Sequence, residues 1–424
     1  MEDKVNARVL AAETYAKREQ RFNDIVALKK PDRVPVIPLV THYFPTKVKG
    51  VSNREAGYDL ALRYDCMKQA DLEFGWDLAA ANGLFSSAGL DALGVTQVRW
   101  PGGDLPDDAP FQFVEDEYLR SDEYDAFLAD PNGFTTRTII PRFAGRLAGL
   151  GQAPLPPTYW FSNSYTLLAA GGSMLSAPPL RAALQALLDL ADAATAANAA
   201  LGAHVAEMAA LGYPYGYSAV TSPAFDVVSD FFRGLRGGSL DLYRNPDKLL
   251  AAIDLMQPSC IGLSVAVARM TGNPRVFIPM HRGADGFMSD EDFRKFYWPT
   301  FRALIETLIA EGLTPMPLFE GGYTSRLMYL AELPPGKVAA HFDHVDRRKF
   351  KEICGNVMCF WGNVPASLLC TGTPQEVKDD VRRLIDLFGD TGALIIDGNQ
   401  GIPDEARAEN VMALREAVDE YGVF

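Results

Sequence analysis

Short apolar runs recur along the chain, and from residue 276 onward each is separated from the next by a helix-like or short loop segment. The runs are too brief for helices and several are rich in Val and Ile, so we predict that they are buried strands. There are eight such runs: Arg33–Val40, Trp76–Asn82, Tyr213–Thr221, Val276–His281, Thr314–Glu320, Lys337–Asp343, Val357–Asn363 and Gly392–Gly398.

Three stretches predict helices. Residues 1–30 carry apolar positions at helical spacing. Residues 290–312 have an amphipathic pattern that begins after Ser289, a capping residue, and stops at Gly312. Residues 373–389 begin with Thr373 as the cap and Pro374 at the first helical position.

Strands that alternate with helices predict parallel βα units, and eight such units predict an α/β fold of the (β/α)8, or TIM-barrel, type. One helix precedes the first strand. Residues 100–212 do not fit a minimal barrel, because they contain an acidic loop and then Ala-rich helices. We interpret them as a helical insertion, or cover, between the second and third strands, and we expect residues 1–424 to form a single domain.

Composition narrows the functional class. The chain has 424 residues, of which 48% are apolar, and a net charge of −14. This acidic balance argues against binding to nucleic acid or to an anionic membrane surface. No run of about 18 apolar residues occurs, so we predict no membrane-spanning helix. The charged N-terminus has no signal-peptide core, and the 5 cysteines lack CxxC spacing, which predicts a cytoplasmic protein.

Polar side chains follow the predicted strands at their C-terminal ends, where the active site of a barrel lies. Glu320 and His341 end consecutive strands, and His281 ends the strand before them. Imidazole and carboxylate groups suit a divalent metal such as Zn²⁺, so we predict Glu320 and His341 as metal ligands. Asp343 lies on the same face as His341. The alternative is that these histidines bind a loop carbonyl, or bind substrate without a metal.

Other residues at these ends are predicted to line a substrate pocket, namely His42, Tyr43, Arg282, Asn363 and Gln400. Aromatic residues cluster in the same predicted region: Tyr43, Phe44, Tyr159, Trp160, Phe161, Tyr165, Phe287 and Tyr323. Core packing is the alternative for each aromatic residue, but as a group they indicate a pocket for an apolar or aromatic substrate. No GxGxxG or Walker A pattern is present, which argues against dinucleotide or ATP chemistry.

The C-terminal half resembles the uroporphyrinogen decarboxylase superfamily. The resemblance rests on MSDEDFRKFYWPTF (288–301), WGNVPASLLCTGTPQEVKDDV (361–381) and GNQGIPDEARAENVMALREAVDEYG (398–422). It implies a (β/α)8 barrel, in agreement with the strand count.

The chain departs from two branches of that superfamily. The decarboxylases have arginines after the first strand, where residues 41–45 read THYFP, and a histidine where Gln400 stands. The thiol-methylating members hold zinc with a His-x-Cys pair after the fifth strand, where this chain has Leu318 and Glu320. We therefore expect neither porphyrinogen decarboxylation nor thiol methylation.

The members that take methyl groups from ethers are similar to this chain at MHRGADGFMS, LFEGGY and GNVP. This resemblance implies O-demethylation, in which a methyl group moves from a small methoxylated substrate, expected to be aromatic, to the cobalt of a corrinoid (cobalamin) protein. It also implies zinc held by Glu320 and His341. His281, Asp343 and Tyr323 are then the predicted catalytic residues.

Three other readings stay open: a decarboxylase or lyase acting on another acid, a methyltransferase that passes methyl from methylcobalamin to a non-thiol acceptor, and a non-catalytic binding subunit. The sequence also leaves open the direction of methyl transfer and whether the chain forms a homodimer.

Overall fold

A parallel sheet forms the centre of the molecule. The computed structural model describes residues 2–81, 86–152 and 163–424. Within them, six parallel strands follow chain order from β3 to β8, and β1 and β2 form a separate antiparallel pair. The strands are β1 (Val98–Arg99), β2 (Gln112–Phe113), β3 (Ala219–Val220), β4 (Arg275–Met280), β5 (Thr314–Gly322), β6 (Ala339–His344), β7 (Cys359–Trp361) and β8 (Leu394–Ile395).

Helices occupy most of the remaining chain. Those before β3 are α1 (Glu2–Val26), α2 (Tyr43–Lys49), α3 (Asn53–Tyr58), α4 (Leu60–Phe74), α5 (Ser87–Leu93), α6 (Tyr124–Ala129), α7 (Pro131–Phe134), α8 (Ile140–Phe143), α9 (Gly149–Gln152), α10 (Ser164–Thr166), α11 (Gly172–Leu175) and α12 (Pro178–Ala210). Those after it are α13 (Ala224–Val227), α14 (Gly234–Arg244), α15 (Pro246–Thr271), α16 (Asp290–Asp292), α17 (Trp298–Ala310), α18 (Leu327–Leu330), α19 (Arg347–Cys354), α20 (Ala366–Thr371), α21 (Pro374–Phe388) and α22 (Ala408–Tyr421).

The three predicted helices are present, and one of them is interrupted. The helix predicted over residues 1–30 is α1, and the helix predicted over 373–389 is α21, with Thr373 and Glu376 forming a capping box. The stretch 290–312 consists of α16, a π-helical segment at Phe293–Tyr297, and α17. Pro299 explains the interruption, because it has no N–H to donate to the preceding turn.

The first two predicted strands are not regular strands. In Arg33–Val40 only isolated pairings occur, among them Val36 with Ile396. Pro35 and Pro38 lack the N–H groups that a ladder needs. The N–H of Val36 donates instead to the side chain of Asp77, at 2.8 Å.

The predicted second strand, Trp76–Asn82, is likewise reduced to the pairing of Ala79 with Tyr215, and Asn82 lies outside the described residues. Irregular backbone contacts nevertheless continue past the edge of the sheet. The N–H of Asp77 donates to the carbonyl of Val36 at 2.9 Å, and the N–H of Ala79 donates to the carbonyl of Pro214 at 2.8 Å.

The sheet carries a core on each face. Side chains facing the helices, such as Ile278 and Phe342, belong to the larger core. The opposite face packs against three residues of α1, namely Phe22, Ile25 and Val26. That smaller core contains Ile37, Leu78, Met316, Ala339, Cys359, Trp361, Ala393 and Ile395.

One helix bears on the expectation that no helix spans a membrane. By length and composition, α15 is long and apolar enough to cross a membrane, with a mean hydropathy of 1.6. The helix contains Pro258, and its residues Leu249, Ile253 and Val265 are buried against neighbouring elements of the fold.

The stretch 100–212 contains β2, one strand of the antiparallel pair, and the helices α6 to α12. The composition predicted helices here. The role of this stretch as a cover, and the single-domain organisation, stay predictions. His204 of α12 contacts the rest of the chain: its ring stacks on Tyr64 of α4 at 4.8 Å and lies 6.1 Å from Tyr215. Neither ring nitrogen of this buried residue has a hydrogen-bond partner in the described part of the chain.

Burial lowers the pKa of His204 to about 4. The neutral ring is therefore favoured in the folded state, and the stability that it contributes is present above the unfolded pKa of about 6.5 and is lost as the pH falls toward 4. We expect His204→Phe to remove this loss. The free energy of unfolding, measured by urea denaturation at pH 7 and pH 4, should fall by roughly 3 kcal/mol more in the wild type than in the variant. An equal fall in both proteins would contradict this role for His204.

Candidate active site

The C-terminal ends of β4 and β5 bring two predicted site residues together. The sheet register pairs Met280 with Phe319, so His281 and Glu320, which follow them, lie side by side. The Nε2 atom of His281 is 3.5 Å from Oε1 of Glu320. Both residues were predicted to lie at the C-terminal ends of the strands, a region that we call the mouth. The structure places them in contact.

A carboxylate that was not predicted holds His281 from the other side. The Nδ1 atom of His281 lies 2.5 Å from Oδ2 of Asp230, which belongs to a π-helical segment at Val228–Arg233. The imidazole therefore lies between two carboxylates, with 33% of its side chain exposed. Asp226 and Asp230 are four residues apart, a spacing that places both on one side of a helix. That spacing was the available sequence signal.

The two carboxylates set the charge of His281. Burial lowers its pKa, but the hydrogen bonds with Asp230 and Glu320 outweigh burial and raise the pKa to about 11. At neutral pH the ring is an imidazolium, and its Nε2–H is a proton donor that faces Glu320.

Asp226 fixes the backbone at the end of β4. It is fully buried and accepts hydrogen bonds from the N–H of His281 at 2.9 Å, from the N–H of Arg282 at 3.1 Å and from the hydroxyl of Tyr297 at 2.7 Å. Burial and the nearby charge of Asp230 raise the pKa of Asp226. Asp226 thus positions His281 through its backbone.

Arg282 was predicted to bind substrate. Its Nε atom donates to Asp230 at 2.8 Å, and its guanidinium lies 5.2 Å from the ring centre of Phe287. The charge of Arg282 is therefore engaged by the carboxylate that also holds His281.

Asp343, a predicted catalytic residue, is a buried acceptor with four partners. Its carboxylate accepts from the N–H of Gly321 at 2.9 Å, from Asn399 at 2.6 Å and from Gln400 at 2.7 Å, and it lies 2.6 Å from Nδ1 of His344. These bonds join the loop after β8 to the ends of β5 and β6. They also fix Gln400, which was predicted to bind substrate.

Asn363 lies beside this network. Its side chain donates to the carbonyl of Asp343 at 3.0 Å and accepts from Nε of Arg347 at 2.8 Å. Both Asn363 and Asp343 line a pocket of about 350 Å³ at the ends of β5 to β7. The pocket is formed by Gly322, Thr324, Asp343, His344, Val345, Arg347, Asn363, Pro365 and Asn399.

His341 is not brought to Glu320. It is fully buried, and Nε2 lies 3.0 Å from Oδ2 of Asp397 on the far side of β7. The register pairs His341 with Leu318, so His341 lies two residues deeper in the sheet than Glu320. The period of a strand places His341 and Asp343 on one face but does not fix this depth.

The positions of Glu320 and His341 bear on the predicted zinc site. Catalytic zinc takes three protein ligands and an open position. In the described ranges, no group of three or more His, Cys, Asp or Glu side chains is placed to hold a metal ion. Glu320 faces His281 and His341 faces Asp397, so the pair predicted as ligands does not fit a common ion here. The metal role stays a prediction.

His42 and Tyr43 lie on the other side of the mouth, at the start of α2. His42 is buried, its ring centre is 4.3 Å from that of Tyr43, and burial lowers its pKa well below the usual value. The hydroxyl of Tyr43 accepts from the N–H of Phe111 at 3.1 Å, and burial raises its pKa to about 12. Tyr43 also lines a second pocket of about 570 Å³.

Tyr323 lies behind the mouth and does not line it. The residue is fully buried, with its ring 4.8 Å from that of Phe319 in the helix-facing core. Core packing, the alternative considered for the aromatic residues, therefore describes Tyr323 and the fully buried Phe44. Tyr165 is 80% exposed, and Tyr159, Trp160 and Phe161 lie outside the described residues.

Apolar side chains of β4, which we call the apolar wall, precede His281 along the strand. The residues of β4 that face the helices, such as Val276 and Ile278, are buried, whereas Phe277 and Pro279 on the opposite face are half-buried. Tyr217 stacks on Phe277 at 5.0 Å. This opposite face, the inner face of β4, therefore exposes apolar surface. The same strand ends at the imidazolium of His281.

Comparisons with known proteins give a family match over part of the chain and a shared fold. Residues 224–421 match the family model described as uroporphyrinogen decarboxylase (URO-D). No curated protein matches the sequence. The structure resembles a methyltransferase from Methanosarcina mazei with a TM-score of 0.61 and 14% identity, over 95% of this chain and 98% of that chain. At this identity the likeness shows a shared fold.

The site geometry predicts that Asp230 maintains the imidazolium. We expect Asp230→Asn to lower the pKa of His281 by roughly 1–3, because an opposite charge and a charged hydrogen bond are lost. The measurement is an NMR titration of the histidine ring signals. Asp380→Asn is the matched control, since Asp380 pairs with Arg347 and not with His281. An unchanged pKa in Asp230→Asn would show that Glu320 alone holds the charge.

Proposed function

Because residues 224–421 of this chain match the family model described as uroporphyrinogen decarboxylase (URO-D), we propose that the protein is a methyltransferase of that superfamily. It moves a methyl group from a small methoxylated substrate, which we expect to be aromatic, to the cobalt of a corrinoid carried by a partner protein. The fold shared with a methyltransferase from Methanosarcina mazei supports the reaction class. The motifs shared with ether-demethylating members support the donor. A cytoplasmic location belongs to the same proposal.

One observation carries the proposal: an imidazolium, His281, stands at the end of a strand whose inner face is apolar. A methyl ether is a poor substrate for displacement, because its oxygen leaves as an unstable anion unless a proton is supplied. Pro279 lies two residues before His281 on the same face of β4, so an aromatic ring packed against Pro279 would hold its ether oxygen near Nε2 of His281. The apolar wall supplies the binding surface, and the imidazolium supplies the proton.

In the proposed reaction, His281 supplies the proton that the leaving oxygen needs. When bound, the corrinoid supplies the electron pair that takes the methyl group. As the methyl–oxygen bond breaks, its electrons stay on the oxygen, and His281 gives that oxygen the Nε2 proton. The product is a neutral phenol or alcohol. Asp230 and Glu320 hold the ring in place and favour its protonated form before each turnover.

The arginines near the mouth disfavour the decarboxylase reading. Substrate carboxylates need a cationic partner, yet Arg282 is bound to Asp230 and Arg347 is bound to Asp380 and Asn363. A carboxylated substrate would have to displace these internal partners. A methoxylated apolar substrate needs no such exchange.

We also propose that the sheet closes into a (β/α)8 barrel. Val36 pairs with Ile396 after β8, Asp77 bonds to Val36, and Ala79 pairs with Tyr215 before β3. These contacts support two irregular segments that take the place of the first two strands and complete the barrel. Residues 100–212 are then inserted before β3.

Zinc has no step in this proposal, since the predicted ligands do not meet. Metal content of the purified protein tests the ligand assignment. A lower metal content in Glu320→Ala than in the wild type would support a ligand role, whereas equal content would contradict it.

We expect the pure protein to form a methyl–cobalt absorbance band when mixed with reduced corrinoid protein and methoxylated aromatics. His281→Gln should slow band formation about 100-fold or more, as is typical when a general acid is lost. The loss should shrink for substrates whose phenol is more acidic, because they need less help from a proton donor. Leu188→Ala, an exposed residue of α12, is the control and should react like the wild type.

Four outcomes would contradict the proposal or one of its parts. Absence of the band with every methoxylated substrate would remove the demethylase reading. Release of CO₂ without corrinoid would identify a lyase. A His281→Gln enzyme as fast as the wild type would exclude the acid role. Methyl transfer from methylcobalamin to an added acceptor would indicate the reverse direction.

A further inference from the structure

The short segment that follows β4, His281 to Gly283, packs closely on two buried tyrosines. A Cβ atom on Gly283 would lie 2.7 Å from the hydroxyl oxygen of Tyr323 and 3.0 Å from the ring atoms Cε1 and Cζ of Tyr297. Cβ atoms are essentially never found under 3.0 Å from such neighbours, so only glycine fits here without a shift. Gly283 does not adopt the left-handed conformation that otherwise favours glycine. Space, not backbone conformation, therefore selects the residue.

The two tyrosines have little freedom to move. Tyr297 and Tyr323 are both fully buried, and the ring of Tyr297 stacks on that of Phe293 at 5.4 Å. The hydroxyl of Tyr297 donates to Asp226, the carboxylate that also receives the N–H of His281. Protein interiors are close-packed and accommodate an extra methyl group only with backbone or side-chain shifts. A methyl group added opposite the tyrosines therefore displaces the segment that carries it.

The far side of the segment is held as well. The carbonyl of Gly283 accepts from Nε of the buried Arg326 at 3.4 Å. The N–H of Asp285 donates to the carbonyl of Gly322 in β5 at 2.7 Å. The chain beyond Gly283 cannot move without breaking these bonds, so a displacement at Gly283 is transmitted back to His281.

The position of the imidazole is sensitive to such a displacement. Nδ1 of His281 lies 2.5 Å from Asp230, and Nε2 lies 3.5 Å from Glu320. The two carboxylates belong to a π-helical segment and to β5, so neither moves with the segment that follows β4. A small shift of that segment changes both distances. Reaction rates depend steeply on such placement, because an error of about 1 Å can cost about 100-fold.

We propose that Gly283, Tyr297 and Tyr323 are positioning residues that hold the imidazole of His281 where it meets the substrate oxygen. The inference rests on the proposed function, because it concerns the same proton donor. It also gives a role to Tyr323, which was predicted to be catalytic and lies behind the mouth. Tyr323 acts through Gly283 and does not touch the substrate.

The first test is the rate of methyl transfer. Gly283→Ala should slow formation of the methyl–cobalt band about 10-fold or more, in kcat and not in KM, because the apolar wall is unchanged. The loss should be largest for substrates whose phenol is least acidic, since they depend most on the proton donor. A Gly283→Ala enzyme as fast as the wild type, or slowed equally with every substrate, would overturn the proposal.

The matched control is Gly286→Ala, in the same loop. Apart from its chain neighbours, no described atom lies within 4 Å of the Cβ position of Gly286, so this variant should react like the wild type. Circular dichroism checks that each variant is folded.

A double-mutant cycle tests the assigned contact. Tyr323→Phe removes the hydroxyl that lies 2.7 Å from the Cβ position of Gly283. Gly283→Ala should therefore cost at least about threefold less in the Tyr323→Phe background than in the wild type. The same loss in both backgrounds would contradict the contact between Gly283 and Tyr323.

NMR at fixed pH separates this inference from the methyl-transfer reaction. The ring signals of His281 are those lost in His281→Gln. They should shift in Gly283→Ala, shift less when Gly283→Ala is made in Tyr323→Phe, and stay in place in Gly286→Ala. Unmoved signals in Gly283→Ala would overturn the positioning role whether or not a methyl–cobalt band forms. Shifted signals together with a wild type that forms no band would support the positioning role and contradict only the proposed function.

Discussion

The mouth of this molecule depends on buried aspartates that accept backbone N–H groups where parallel strands end. Asp226 receives the N–H groups after β4, Asp343 receives the N–H of Gly321 in β5, and Asp397 receives the N–H of Leu39 at 2.7 Å. Strands that end inside the mouth leave such groups without a ladder partner, and an unpaired buried N–H is costly. The aspartates satisfy these groups and join elements that are distant in the chain.

This constraint separates the structural charges from the reactive ones. Asp343 and Asp397 have partners for their oxygens within the protein, and Asp397 also holds His341. His281 and Glu320 differ, because they contact each other at 3.5 Å while each side chain keeps about a third of its surface exposed. An acidic mouth can therefore present the partly exposed imidazolium of His281 to a substrate, and the proposed chemistry follows from that cation.

Sequence patterns predicted the strands from Val276 onward because each is a compact apolar run between clear helices. They failed over Arg33–Val40, where prolines remove the donors that a ladder requires and Asp77 takes the remaining N–H. They did not single out α15 as an apolar helix, because one aspartate and a proline interrupt a run that stays apolar on average.

The sequence by itself determined that histidines and carboxylates follow the strands, since strand ends are visible in the apolar pattern. Only the tertiary structure decided which of them meet. Register between β4 and β5 places His281 beside Glu320, and depth within the sheet places His341 beside Asp397. Asp230, which sets the charge of His281, comes from a helical turn 51 residues earlier in the chain. Such pairings depend on packing between distant segments, and no local periodicity encodes them.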